Sequence, residues 1–167
     1  MEATEDRVRG GAGWLVAAVI AIVGCSGGGP SGSSGIPIGG TYTATHMFTV
    51  NTLPAACPGS LTLTGSGSFS GLLRVSACEL FGGEALEFPI SGAVTSGGAL
   101  TFTFVGGLSL GDILDQLGCV VTSSDSGFTG TFDDGAIDVT TMAAVQSCPD
   151  IPGAGDVVWR IQATRQS

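Results

Sequence analysis

Residues 90–104 read ISGAVTSGGALTFTF, and residues 128–141 read FTGTFDDGAIDVTT. In the first, Ile90, Val94, Leu100, Phe102 and Phe104 share one face across the break Ser96-Gly97-Gly98. In the second, Phe128, Phe132, Ile137 and Val139 do the same across Asp133-Asp134-Gly135. Side chains that alternate with period two mark half-buried strands, and a glycine-bearing break between two of them marks a tight turn. Residues 63–75, LTGSGSFSGLLRV, are a looser copy of the same hairpin. Hairpins repeated at similar length imply a meander whose neighbouring strands pair in chain order.

The same alternation continues on both sides. Thr41–Val50, TYTATHMFTV, sets Tyr42, Ala44, His46, Phe48 and Val50 against a face of threonines and Met47. Strands are also predicted at 60–65, 69–76, 86–95, 99–105, 127–132, 136–141 and 156–164. In the last, DVVWRIQAT, Val157, Trp159, Ile161 and Ala163 share a face. Pro89 lacks a backbone donor, so it belongs at an edge or a bulge. Leu108–Leu117 alone changes period: Leu110, Ile113, Leu114 and Leu117 fit a short amphipathic helix lying on the sheet or across a barrel mouth. The fold class is therefore all-β: a small up-and-down antiparallel barrel of about eight strands with one short helix. A two-sheet β-sandwich is the alternative. A continuous hydrogen-bond ladder joining 41–50 to 156–164 would close the meander into a ring and exclude the sandwich.

Ahead of this domain, Trp14–Val23 is a run of ten apolar residues, followed by Gly24 and Cys25. The run is too short to cross a bilayer and suits the apolar core of an export signal. Ile22-Val23-Gly24-Cys25 resembles the lipobox of bacterial lipoprotein signal peptides. The resemblance implies cleavage before Cys25, a diacylglyceryl group on its sulfur (with palmitate among the acyl chains), and anchoring in the membrane of the bacterial cell envelope. Glu2, Glu5 and Asp6 outnumber Arg7 and Arg9, whereas a start at Val8 would leave the basic segment such signals carry. Ser26 is not the aspartate that resembles an inner-membrane retention signal, which favours the outer membrane. Ser26–Gly35, SGGGPSGSSG, reads as a flexible tether with a reach on the order of 20 Å. The organisation is then residues 1–24 signal peptide, 25–35 lipidated cysteine and tether, and 36–167 a single β domain.

Beyond residue 24 the chain holds eleven acidic residues against three arginines, Arg74, Arg160 and Arg165, and no lysine. A net charge near minus eight argues against nucleic acid as a partner. Cys57, Cys78, Cys119 and Cys148 are an even set in an exported domain, which favours two disulfides. Four cysteines allow three pairings. Cys57–Cys78 and Cys119–Cys148 are favoured because each pair brackets one predicted hairpin. A four-thiolate metal site would want C-x2-C knuckles, and the sequence has none.

Gly40-Thr41-Tyr42 opening the first strand, the glycine-turn hairpins and the terminal Trp159-Arg160 strand resemble lipocalin-like and avidin-like barrels. In those families a first-strand Gly-x-Trp packs near an arginine of the final strand. Here Tyr42 stands where the Trp would be, and Arg165 is placed to act as the arginine. The resemblance implies a barrel and carries over no ligand. Tyr42, His46, Phe102, Phe104 and Trp159 are the candidates to line a site for a small apolar ligand inside it. His46, the single histidine, would orient a ligand or serve as a core residue bonded to its neighbours. Asp125, Asp133, Asp134 and Asp138 lack the spacing of an EF-hand and read as turn and outward strand residues. Glu79, Glu84 and Glu87 read as a solvated rim. Neither a placed triad nor a metal motif points to an enzyme, and no cofactor is expected. Two functions remain in view: a ligand-binding barrel, and a filled structural barrel that meets another envelope protein.

Overall fold

Alternating β-branched and apolar residues put most of the domain into strands. The computed structural model describes residues 35–51, 53–79, 82–149 and 155–167. The signal segment, Cys25 and the tether up to residue 34 lie outside the described residues. Within them the elements are β1 (Gly40–Val50), β2 (Leu53–Ser66), β3 (Ser68–Val75), β4 (Leu86–Val94) and β5 (Ala99–Phe104). Next come α1 (Leu110–Gln116), β6 (Val120–Ser124), β7 (Phe128–Asp133), β8 (Ala136–Ser147) and β9 (Gly155–Arg165).

Every strand pairing is antiparallel, and eight strands close into a ring in the order β1-β2-β3-β4-β5-β7-β8-β9. Closure comes from β1 and β9, which pair from Tyr42↔Arg165 to Val50↔Val157. A sandwich is thereby excluded. The ninth strand, β6, stands outside the ring. It pairs with Ala143–Ser147 of β8, along the edge that β7 occupies from Ala136 to Thr140.

Local chemistry explains the turns. The β7–β8 hairpin turns through Asp134 (φ 43°) and Gly135 (φ 78°). Positive φ at both central residues gives the turn a twist that matches the flanking strands, and Asp-Gly tolerates it. Pro89 lies in the interior strand β4, opposite Leu72 of β3, rather than at a sheet edge, and it ends the β4–β5 ladder: its carbonyl accepts from Val105 N at 2.8 Å, and it has no N–H to return that bond. Ser109 caps α1 in a reciprocal box: its hydroxyl accepts from Asp112 N, and Asp112 Oδ2 accepts from Ser109 N at 2.7 Å.

The structure departs from the sequence reading in extent rather than in kind. Strand β2 begins at Leu53 and β8 runs on to Ser147, both longer than the alternation suggested. Strand β6 was not expected at all, because VVTSS has no clear two-residue period. Leu117 ends the helix and is exposed, while Leu110 and Leu114 enter the core. The helix packs on β6 and β8, covering one end of the barrel wall.

The chain forms disulfides Cys57–Cys78 and Cys119–Cys148, with Cα separations of 5.3 and 4.1 Å. The first ties β2 to the β3–β4 connection, the second the start of β6 to the end of β8. Peptide mapping without reductant should recover these two pairs and no others. Replacing Cys57 and Cys78 together by serine should lower unfolding stability by about 3 kcal/mol in a urea titration, because a closed loop restricts the unfolded chain.

Candidate functional site

The inward positions meet in one aromatic cluster. Trp159 is wholly buried and is surrounded by Phe48, Phe88, Phe104 and Phe128, with ring centroids 4.9, 6.1, 6.0 and 5.2 Å away. Phe102 stacks on Phe128 at 4.6 Å and meets Phe69 at 6.5 Å. Glycine makes the room: a Cβ on Gly92 would lie 2.5 Å from Phe102 Cβ and 2.7 Å from the ring of Phe69. Large and small residues on facing strands thus interdigitate.

His46 lies inside this cluster and is fully buried. Trp159 Nε1 donates to His46 Nδ1 at 3.2 Å, so Nδ1 is the accepting nitrogen. Nε2 then carries the proton and donates to the Arg74 carbonyl at 3.1 Å. Both ring nitrogens are satisfied by the neutral form. Burial pushes the imidazole pKa down from 6.5 to about 4, against a smaller opposing effect of the Arg74 carbonyl. Protonation would also bring an Nδ1 proton against the indole N–H. The ring rests on Gly59, where a Cβ would come within 2.2 Å of Nε2 and 2.1 Å of the Arg74 carbonyl oxygen.

Tyr42, the fifth sequence candidate, is apart from this group, at the barrel end where the domain begins. Its hydroxyl donates to the Ile38 carbonyl at 2.5 Å and accepts from Arg165 Nη2 at 2.9 Å. The same guanidinium group donates to the Pro37 carbonyl at 2.7 Å and lies 5.5 Å from the Tyr42 ring centroid. Ile38 is wholly buried beneath this clamp. Sequence reasoning paired Tyr42 with Arg165 but missed Ile36–Gly39 as the closure of the base. Apolar Ile36 and Ile38 around Pro37, before the first strand, were the available signal.

The acidic residues separate. Asp138 is held by Arg160, whose Nε donates to Oδ1 at 2.7 Å, and by Gln162. The Arg160 hydrogen bond, the largest influence, holds the Asp138 carboxyl below its usual range. Asp133 and Asp134 sit at the β7–β8 turn, Asp125 accepts from Met142 N, and Glu79, Glu84 and Glu87 are exposed. No three potential metal ligands converge among the described residues. Thr141, beside Trp159 in the β8–β9 register, turns inward, and its buried hydroxyl meets no hydrogen-bond partner among the described residues.

No protein-family model and no curated protein matches the chain. Among solved structures it is similar to a redesigned β-barrel, at 12% identity and a TM-score of 0.42, over 78% of this chain and 92% of that one.

The folded pKa of His46 lies below its unfolded value, so its contribution to stability is complete above pH 6.5 and is lost as pH falls toward 4. The loss should amount to roughly 3 kcal/mol and level off below pH 4. His46→Gln, which can serve both partners without titrating, should remove this part of the pH dependence in denaturant titrations at stepped pH. An unchanged slope would assign the dependence to carboxylates instead. Thr141→Val should raise stability by about 1 kcal/mol, by removing a buried hydroxyl that pairs with nothing.

Proposed function

We propose that the chain is an exported protein of the bacterial cell envelope, held at the outer membrane by lipid on Cys25, and that its barrel is a filled, non-catalytic interaction module. The observation that carries the filled reading is the exposure of the inward side chains. Trp159, His46, Ile90 and Ile161 are 0% exposed, Phe102 is 2% and Phe104 is 3% exposed. A side chain facing a void large enough for water would present surface to it, and a barrel built to hold a guest would leave such surface on its aromatic wall. His46 is committed to Trp159 and Arg74 on both nitrogens, which leaves it no free atom to orient a ligand.

The lipid anchor rests on the lipobox-like Ile22–Cys25, and export on the two disulfides. Detergent extraction of the protein from envelope membranes, followed by intact and native mass spectrometry, tests both halves. The covalent mass on Cys25 should equal a diacylglyceryl group plus one acyl chain, and Cys25→Ser should move the protein out of the membrane fraction. Native spectra should then show no further mass. A reproducible noncovalent adduct lost on denaturation would replace the filled barrel with the ligand-binding one.

A further inference from the structure

Ring closure leaves eight strands without a free edge, but β6 stands outside the ring. It pairs with β8 on one side, and no other strand pairs with its second side among the described residues. Val120, Thr122, Ser123 and Ser124 are exposed. An open strand edge is a template for another strand, and proteins usually blunt it with lysine, proline or a cover. VVTSS has neither lysine nor proline, and α1 covers it only in part: Gly111 N donates to Ser124 Oγ at 2.9 Å, while Val120, Thr122 and Ser123 stay exposed.

A groove of about 300 Å³ runs between β6 and α1, lined by Val121, Thr122 and Ser123 on one side and Ser109, Asp112 and Asp115 on the other. Asp125 follows the end of β6. The three arginines of the domain are elsewhere: Arg74 beside Glu87, Arg160 on Asp138, Arg165 on Tyr42. The groove is therefore acidic without a neighbouring cation among the described residues. A second copy is a poor occupant, since it brings the same net negative charge and no lysine. Exposed Val120 (50%) and Leu117 (46%) add apolar surface at the start of the strand.

We propose that the free edge of β6 receives an extended, lysine- or arginine-bearing segment of a partner protein as an added strand. Main-chain hydrogen bonds to Val120–Ser124 would give affinity; Asp112, Asp115 and Asp125 would select basic side chains, and Val120 and Leu117 the apolar ones between them. This deepens the interaction-module reading and rests on it.

The probe is a ten-residue peptide alternating lysine and valine, offered to the full-length protein, with fluorescence anisotropy and hydrogen exchange as readouts. Binding should be saturable, should weaken about tenfold between low and physiological salt, and should slow exchange at Val121–Ser124. A peptide with glutamate for lysine should not bind. Nor should one with the lysines kept and alternate backbone amides N-methylated, because it cannot complete a ladder. Asp115→Asn should weaken binding about two- to fivefold. Equal binding by the N-methylated peptide, no binding by the lysine–valine peptide at millimolar concentration, or slowed exchange confined to other strands would each overturn the proposal. So would a sedimenting dimer that protects Val121–Ser124 without peptide, which would make a second copy the occupant. None of these outcomes depends on whether the barrel holds a guest, which the native spectra decide separately.

Discussion

The hydrogen-bonded ladder between β1 and β9 is the constraint on which the rest depends. Without it the sheet would be open, with two long edges and an inner face only partly covered. With it, the inward side chains of eight strands share one volume fixed by strand number and tilt, and that volume has to be filled closely. This is why Gly92 faces Phe69 and Phe102, and why Gly59 faces His46. A single added methyl group at either position would meet atoms that cannot move without disturbing the ring.

Within that volume the polar groups are few and local. His46 is neutral because its two nitrogens have two different partners, one donating and one accepting. Desolvation and hydrogen-bond geometry therefore select the same protonation state. At the base, Arg165 is tied to Tyr42 and to the carbonyl of Pro37, so the last strand holds the segment that enters the first. The two ends of the domain are thus joined twice, by the β1–β9 ladder and by one guanidinium group.

The outside is chemically plain by contrast. Threonine and serine cover much of β1, β2, β5 and β7, and the few arginines are engaged by neighbours. The departure from this pattern is the segment between β5 and β7, where the meander is interrupted by α1 and β6. It adds the one strand outside the ring, a disulfide and a carboxylate-lined groove. Insertions of this kind are where a rigid barrel can vary without loss of its core.

Much of this was legible in the sequence, because burial on one face writes period two into each strand. The hairpins at 90–104 and 128–141, the inward set around Trp159 and the inward placing of His46 follow from alternation and turn chemistry, and the cysteine pairs that form are the two favoured among three pairings for bracketing a hairpin each. Other features had no local signal. VVTSS became a strand because Ala143–Ser147 offered an edge beyond the end of β7, a pairing between residues some twenty positions apart. His46 could be placed inward from parity, but whether it served a ligand or the core depended on Trp159 Nε1 and the Arg74 carbonyl, brought to it from two other strands. Barrel rather than sandwich was likewise decided by which strand met β1. Alternation determines which face of a strand is buried, whereas the partner across that face is set only when the ring closes.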